Sequence, residues 1–450
     1  MMTNNINKYA LRGLVCCGIA AALTSCRFED EDYFDQPAAQ RIESATEAIQ
    51  QTLVSAPNGW VMQYFTGTDE IEGFNIFARF ENSQKVTMAG NHKYLRDGNA
   101  NKYTEYASLY EILKEDGPVL AFNTWNDILT PLVDPVDPSS APNSLVKDGE
   151  GMKGDHNLVV LSYSPEEVLL RGERHSARVR LVPCESTWEE YIDATSKLKS
   201  YIANTTITNY YVVSGTDTLY FKNLRNGSFT YCERIDDPLF PSTVNCVFTP
   251  KGFRLHHQNS IGENETKFQE FTITADSTCL VSENDSVKVI PLWDEYLIGN
   301  TVVWKMDQET FSDAQRVLFD QISEALLGYN KNAVLANIGL GKSSGSNPIL
   351  GLVFTFYSNA AKTKTNTIGM ALQMTRSSYG QMQIAIPSEE VFDKNMEAVS
   401  QKAENIKSLA RMFAETLQGI YNITPDNYFL PTTASFAPIG SGTAFRLSKP

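Results

Sequence analysis

Between residues 208 and 288 apolar and polar side chains alternate. Turn signals break the alternation at Asn226-Gly227, Asp237-Pro238 and Lys251-Gly252. Successive strand residues face opposite ways, so this period of two is what a half-buried antiparallel sheet requires. The pattern extends toward the N-terminus, with strands expected at 60–65, 74–80, 85–88, 157–163, 167–171 and 177–182, and a tight turn at Asn82-Ser83.

Helical spacing is rarer. Ile42, Ala45, Ile49 and Leu53 predict a helix over 37–56, opened by Pro37 and broken by Pro57-Asn58-Gly59. A short helix is expected over 104–115, stopped by Gly117 and Pro118, and residues 130–155 read as a proline- and glycine-rich loop. Ser186 and Glu189 fit a capping box opening a helix to about 203. Helix then sheet at 37–90 recurs loosely at 187–290. From 291 onward we expect a strand at 300–305, a helix at 311–328, strands at 349–357, 367–375 and 381–386, a long helix over 388–418 and a strand near 443–447. The reading is an α+β fold, mostly antiparallel β-sheets with a few flanking helices in two or three domains. The expected divisions are a leader at 1–25, a tether at 26–36, an α+β domain at 37–185, a β-rich domain at 186–290 and an α+β domain at 291–450.

The leader reads as a secretory signal. Lys8 and Arg12 precede the ten apolar or small residues 14–23, too few for the ~20 that span a bilayer. Leu23-Thr24-Ser25-Cys26 resembles a bacterial lipobox, which would make Cys26 the lipid-bearing N-terminus. Each buried lipid methylene contributes about 0.8 kcal/mol, so several chains anchor stably. The acidic run 29–32 after Cys26 resembles the surface-export signal of Bacteroidota lipoproteins; a solvated tether is the alternative. The expected location is the outer membrane, lipid-anchored, facing the exterior.

Losing two basic leader residues takes the net charge from −15 to −17. That sign opposes nucleic acid and anionic headgroups, so no nucleic-acid partner is expected and the lipid alone holds the membrane. Cys184, Cys232, Cys246 and Cys279 remain as thiols. Cys232 and Cys246 fall on consecutive expected strands and are the candidate disulfide; four buried free thiols are the alternative.

Catalytic signatures are lacking, and no catalytic residue, metal ligand or cofactor is assigned. Residues 336–343 (ANIGLGKS) fit a relaxed phosphate loop, but Ser344-Gly345-Ser346-Asn347-Pro348 cannot open the helix such a loop needs, so a glycine-rich connection is expected. There is no HExxH, CxxC or GxSxG. Adjacent strand residues His256 and His257 should face opposite ways and share no ion. A loop calcium site from Asp134, Asp137, Asp148 and Asp155 competes with a solvated acidic loop. Trp60, Tyr64, Tyr103, Tyr106, Tyr110 and Trp125 could stack on sugar rings or fill a core, and core is the expectation. Asp217-Thr218, Asp276-Ser277 and Asp285-Ser286 resemble O-glycosylation acceptors of Bacteroidota, making Thr218, Ser277 and Ser286 candidate sites.

Three further stretches carry a family resemblance: Ser55-Ala56-Pro57-Asn58-Gly59-Trp60, Phe77-Ala78-Arg79-Phe80-Glu81-Asn82 and Asp116-Gly117-Pro118-Val119-Leu120-Ala121-Phe122. They resemble a Bacteroidota lipoprotein family catalogued as domain-of-unknown-function family 4302. The resemblance implies no catalytic residues. It implies company with surface uptake systems, a TonB-dependent transporter and its partner lipoprotein. Three functions are therefore carried forward. The first is a non-catalytic binding or accessory lipoprotein of a nutrient-uptake system. The others are a surface hydrolase of glycan or peptide, with paired carboxylates, and a structural or adhesive surface protein.

Overall fold

The computed structural model describes residues 37–67, 72–134, 152–225, 227–232, 242–299, 302–344, 347–440 and 442–449. Cys26 and the acidic run lie outside these residues. The described chain is α+β, built from three largely antiparallel sheets with flanking helices.

Strands β1–β9, drawn from 60–183, form the first sheet in the order β4-β3-β2-β1-β9-β8-β7-β6-β5. Its central strand β1 (Trp60–Phe65) is buried at all six positions. Trp60, Met62 and Tyr64 face one core with Ile76, Ala78, Val179 and Leu181, closed by Ile49 and Leu53 of helix α1 (Ala38–Ser55). On the other face Val61 packs with Phe77, Ala89, Cys184 and Trp188. A strand covered on both faces has no solvent side, which is why it reads Trp-Val-Met-Gln-Tyr-Phe.

Strands β10–β17, drawn from 209–291, close into a barrel. Tyr210, Phe221, Phe253, Leu255, Phe268 and Phe271 belong to its buried core. At eight strands a barrel interior is just wide enough for side chains to fill, and here aromatic rings fill it. Strands β18–β26, drawn from 304–448, form the third sheet in the order β21-β20-β19-β18-β26-β25-β24-β23-β22. The barrel and third sheet share one continuous apolar core.

The three units have one plan. In each, an antiparallel meander pairs its first strand with its last: β1 with β9, β10 with β17, β18 with β26. In the outer units one residue separates the fourth and fifth strands. Tyr110 lies between β4 (Thr104–Leu109) and β5 (Glu111–Lys114), and Leu372 between β21 (Thr365–Ala371) and β22 (Gln373–Ser378). Each pair is one bent strand, paired by its first half to β3 or β20 and by its second to β6 or β23. Counted so, every unit has eight strand positions. Both bend residues are buried, and both donate their N–H back across the earlier partner, Tyr110 to Gln84 at 2.8 Å and Leu372 to Leu350 at 3.2 Å. A helix enters each meander: α1, then α3 (Trp188–Ile202), then α4 (Trp293–Gly299). A single turn, α2 (Thr130–Val133), lies inside the first unit.

Three local expectations are corrected. Residues 104–115 are strand, not helix: Tyr106, Ser108 and Tyr110 turn inward while Glu105, Ala107 and Leu109 stay exposed. The tyrosines at 103, 106 and 110 mimic helical spacing. The long helix over 388–418 is two, α6 (Lys394–Ser400) and α7 (Ile406–Glu415). A straight 31-residue helix would run about 46 Å; the break lets Val399, Ala403, Ile406 and Phe413 enter one core. The α3 capping box uses Thr187 and Glu190, one residue later than expected, because Thr187 holds the extended backbone an N-cap needs. Helix α5 (Asp313–Tyr329) stands where 311–328 was expected.

Candidate functional site

The first unit meets the barrel around α3. Trp188 fixes the start of that helix: its Nε1 donates to the Asn58 carbonyl at 2.7 Å, its ring stacks on Phe77 at 5.7 Å, and the Arg79 guanidinium covers it at 4.8 Å. At the other end Lys199 Nζ reaches Glu72 Oε2 at 3.2 Å. Backbone carbonyls of the barrel also accept directly from the first unit, Cys246 from the Gly73 N–H at 3.2 Å and Phe248 from Asn75 Nδ2 at 2.8 Å.

Beside α3 lies a cleft of about 750 Å³. The first unit lends it Gln63 and Arg180, α3 lends Glu190 and Tyr191, and the barrel lends Lys251 and Glu270. Strand alternation puts Gln63 and Arg180 here, since their neighbours Met62, Tyr64, Val179 and Leu181 face the other core. Arg180 spans the junction. Its Nε pairs with Glu167 and its Nη1 with Glu270 Oε2 at 2.6 Å. Burial works against the Arg180 charge, but Glu270 and Glu167 more than offset it and raise its pKa. Arg254 sits opposite Glu270 on the neighbouring strand. Burial, followed by the Arg180 charge, brings its guanidinium down to about 10. Burial raises the Tyr191 phenol well above its ordinary value. At the rim Lys251 Nζ pairs with Glu185 Oε2 at 2.9 Å. The lining holds four glutamates, one arginine and one lysine, so it suits neutral or cationic hydrogen-bonding ligands and disfavours anions.

The structure disperses most residues singled out in the sequence. Trp60, Tyr64 and Tyr110 are core; Trp125 is 47% exposed. Residues 334–342 form strand β19 (Val334–Lys342), not a connecting loop. A Cβ on Gly339 would lie 2.3 Å from the Trp304 carbonyl oxygen, and one on Gly341 2.5 Å from that of Val302. Close strand pairing, not phosphate binding, explains those glycines. His256 and His257 do not point apart: the pairing of β14 (Gly252–Ile261) with β15 (Thr266–Ile273) shifts register between Arg254 and Asn259. Their rings stack at 4.0 Å, and His256 also stacks on Phe65 at 4.6 Å.

Of the carboxylates weighed for a loop calcium site, Asp134 and Asp155 have different partners. Asp137 and Asp148 lie outside the described residues. Asp155 is 3% exposed and accepts N–H groups from Arg174, His175 and Ala177, while Asp134 lies 3.7 Å from His156 Nε2. Among the described residues no three His, Cys, Asp or Glu side chains gather as a metal would require. The Cys232–Cys246 disulfide is also corrected. Strand pairing places Cys246 opposite Gly227, and Ser242 opposite Tyr231. Five residues along a strand is about 16 Å, far beyond the Cα separation of roughly 4.4–6.8 Å that a disulfide allows. Cys184, Cys246 and Cys279 are free thiols. Thr218 and Ser286 are exposed near barrel turns, and Ser277 sits half-exposed in the turn before β16 (Leu280–Ser282). Among the described residues no helix is long and apolar enough to cross a membrane.

Sequence reasoning missed two features. Arg180 gave no signal, because its partners come from 13 and 90 residues away. A signal did exist for the unit junctions: Trp188-Glu189-Glu190-Tyr191 and Trp293-Asp294-Glu295-Tyr296 open α3 and α4 alike. The second junction is the more buried. Asp294 is 1% exposed, and its Oδ2 accepts from Arg376 Nε at 2.7 Å and Gly380 N–H at 3.1 Å; Arg376 also reaches the Tyr211 hydroxyl of the barrel.

No curated protein matches this chain. Among solved structures it is similar to the DNA polymerase III subunit beta from Pseudomonas aeruginosa and the beta subunit from DNA polymerase of Streptococcus pyogenes. Each is 10% identical, with 91% of this chain and 98% of that chain covered and a TM-score of 0.12, a likeness too slight to carry an argument. The family comparison is decisive by extent: one family model matches residues 30–275, more than half of the chain. The chain belongs to that family, the domain of unknown function DUF4302.

Proposed function

We propose that this chain is an exported lipoprotein, held in the outer membrane by lipid on Cys26 and facing the exterior, and that it serves a nutrient-uptake system as a non-catalytic binding component. The leader and lipobox-like sequence support the address. One observation carries the binding reading: a cleft of about 750 Å³ between two units whose charged side chains already pair with one another across the junction. Such a cleft offers hydrogen bonds and shape to a neutral or cationic ligand. The same pairing argues against a glycoside hydrolase here. A general acid must hold its proton, and a guanidinium favours the ionised carboxylate.

The test is a pull-down of the intact lipoprotein from gently solubilised outer membranes, beside a Cys26→Ala control and a lipid-labelling assay. Lipid label on the parent alone, with co-recovery of a TonB-dependent transporter, supports the proposal. An unlabelled parent refutes the anchor, and a surface-exposed protein that recovers no transporter refutes the uptake role. Turnover of an oligosaccharide or peptide by the mature chain, abolished by Glu270→Gln, would replace binding with hydrolysis.

A further inference from the structure

We infer a second binding site, independent of the inter-unit cleft, in which Trp125 stacks on a pyranose ring of a neutral saccharide. Of the five tryptophans, Trp60, Trp188, Trp293 and Trp304 are at most 4% exposed, whereas Trp125 is 47% exposed. A lone exposed apolar side chain needs no explanation when it is free to move. This one is fixed. Its Nε1 donates to Asp127, and the Arg96 guanidinium lies over the ring at 5.2 Å from the centroid.

The backbone beneath is locked as well. Asn126 is fully buried; its Oδ1 accepts N–H groups from Ile128 at 3.0 Å and Leu129 at 3.3 Å, and its Nδ2 donates to Ser108 Oγ at 2.8 Å. Thr130 Oγ1 accepts the Asn126 N–H at 3.0 Å, and Thr124 Oγ1 accepts the Leu109 N–H at 2.9 Å. Ile128, Leu129 and Leu132 sink into the first core. The segment is held in place, and about half of the large ring on it is left in water.

The ring borders a hollow of about 330 Å³ shared with Asn123, Thr124, Thr130, Asp134 and His156. These side chains offer an amide, two hydroxyls, a carboxylate and an imidazole, so donors and acceptors are mixed. His156 Nδ1 is buried and has no hydrogen-bond partner. A pyranose has the matching chemistry, a C–H face for the indole and a rim of hydroxyls that donate and accept. The platform is already ordered, so binding does not carry the entropy cost of fixing it. The site also lies apart from the inter-unit cleft. Its supporting residues pack on the first core, while Gln63 and Arg180 occupy the opposite sheet face.

The test uses the mature chain and four neutral probes: cellohexaose, maltohexaose, xylohexaose and mannohexaose. Iodide quenching of tryptophan fluorescence reports on the one exposed indole, and calorimetry gives affinity. At least one hexasaccharide should shield the indole from iodide. Trp125→Ala should weaken that binding at least about tenfold, with Trp125→Phe weakening it less, while Arg180→Ala leaves it unchanged and so separates this site from the cleft. Three results overturn the inference: none of the four saccharides shields Trp125, the Trp125→Ala chain binds as the parent does, or an aromatic peptide shields the indole where the saccharides fail.

Discussion

Replacing Asp294 by alanine tests the claim that the barrel and third sheet are one cooperative body. The carboxylate is 1% exposed, and Arg376 beside it has a side chain only 19% exposed. Alanine removes the acceptor for the Arg376 Nε and for the Gly380 N–H. Breaking a buried pair from one side costs about 3–5 kcal/mol, because the remaining charge is left uncompensated. Glu295 lies 3.8 Å from Arg376 Nη1 and the Tyr211 hydroxyl keeps its bond, so the low end, about 3 kcal/mol, is expected. Urea unfolding of the mature chain, followed by far-ultraviolet circular dichroism and tryptophan fluorescence, should show two transitions, since the first sheet has its own core and the other two units share one. With a slope of about 3 kcal/mol per molar urea for a body this size, the shared transition should move down by about 1 M while the other stays. Asp294→Leu with Arg376→Met removes both charges and should recover most of the loss. A single-variant loss below about 1 kcal/mol, or a double variant as unstable as the two single losses added together, refutes the reasoning.

Three further outcomes are expected. Burial lowers His92 to about 4, against a hydrogen bond to the Ile128 carbonyl; the unfolded chain therefore takes up the proton first, and stability present above about pH 6.5 declines by about 3 kcal/mol as the pH falls toward 4. His92→Asn should flatten that profile in urea titrations at several pH values, and an unchanged slope would remove His92 as its cause. Asp155→Ala strips three backbone N–H groups of their acceptor and should cost the first unit about 3 kcal/mol or more in its own urea transition; a loss under about 1 kcal/mol contradicts this. Unfolding the mature chain in urea without reductant should release four thiols to a colorimetric thiol reagent, whereas a Cys232–Cys246 disulfide would leave two.

The sequence alone determined some of the strands, though not β4 and β5, which read as helix, nor β19, which reads as a loop. Alternation is local, so β2 (Phe74–Phe80), β20 (Leu350–Tyr357) and β23 (Gln381–Ala385) could be read within a residue or so, as could helices α1 and α5. It also marked Trp125 as one aromatic residue to weigh between core and platform. Reading failed where a short window carries two meanings. Tyr106 and Tyr110, four apart, fit a helix face as well as an inward strand face, and only pairing to β3 (Lys85–Gly90) and β6 (Pro118–Ala121) selects the strand. Tertiary structure decided everything that depends on register and closure. It joined first strand to last in all three meanders, set Cys246 opposite Gly227, turned His256 onto Phe65, and brought Glu167 and Glu270 to one guanidinium. Those partners meet because strands pair at fixed offsets, which turn geometry and the burial of one sheet face set together, and a one-residue slip would turn every side chain to the other face.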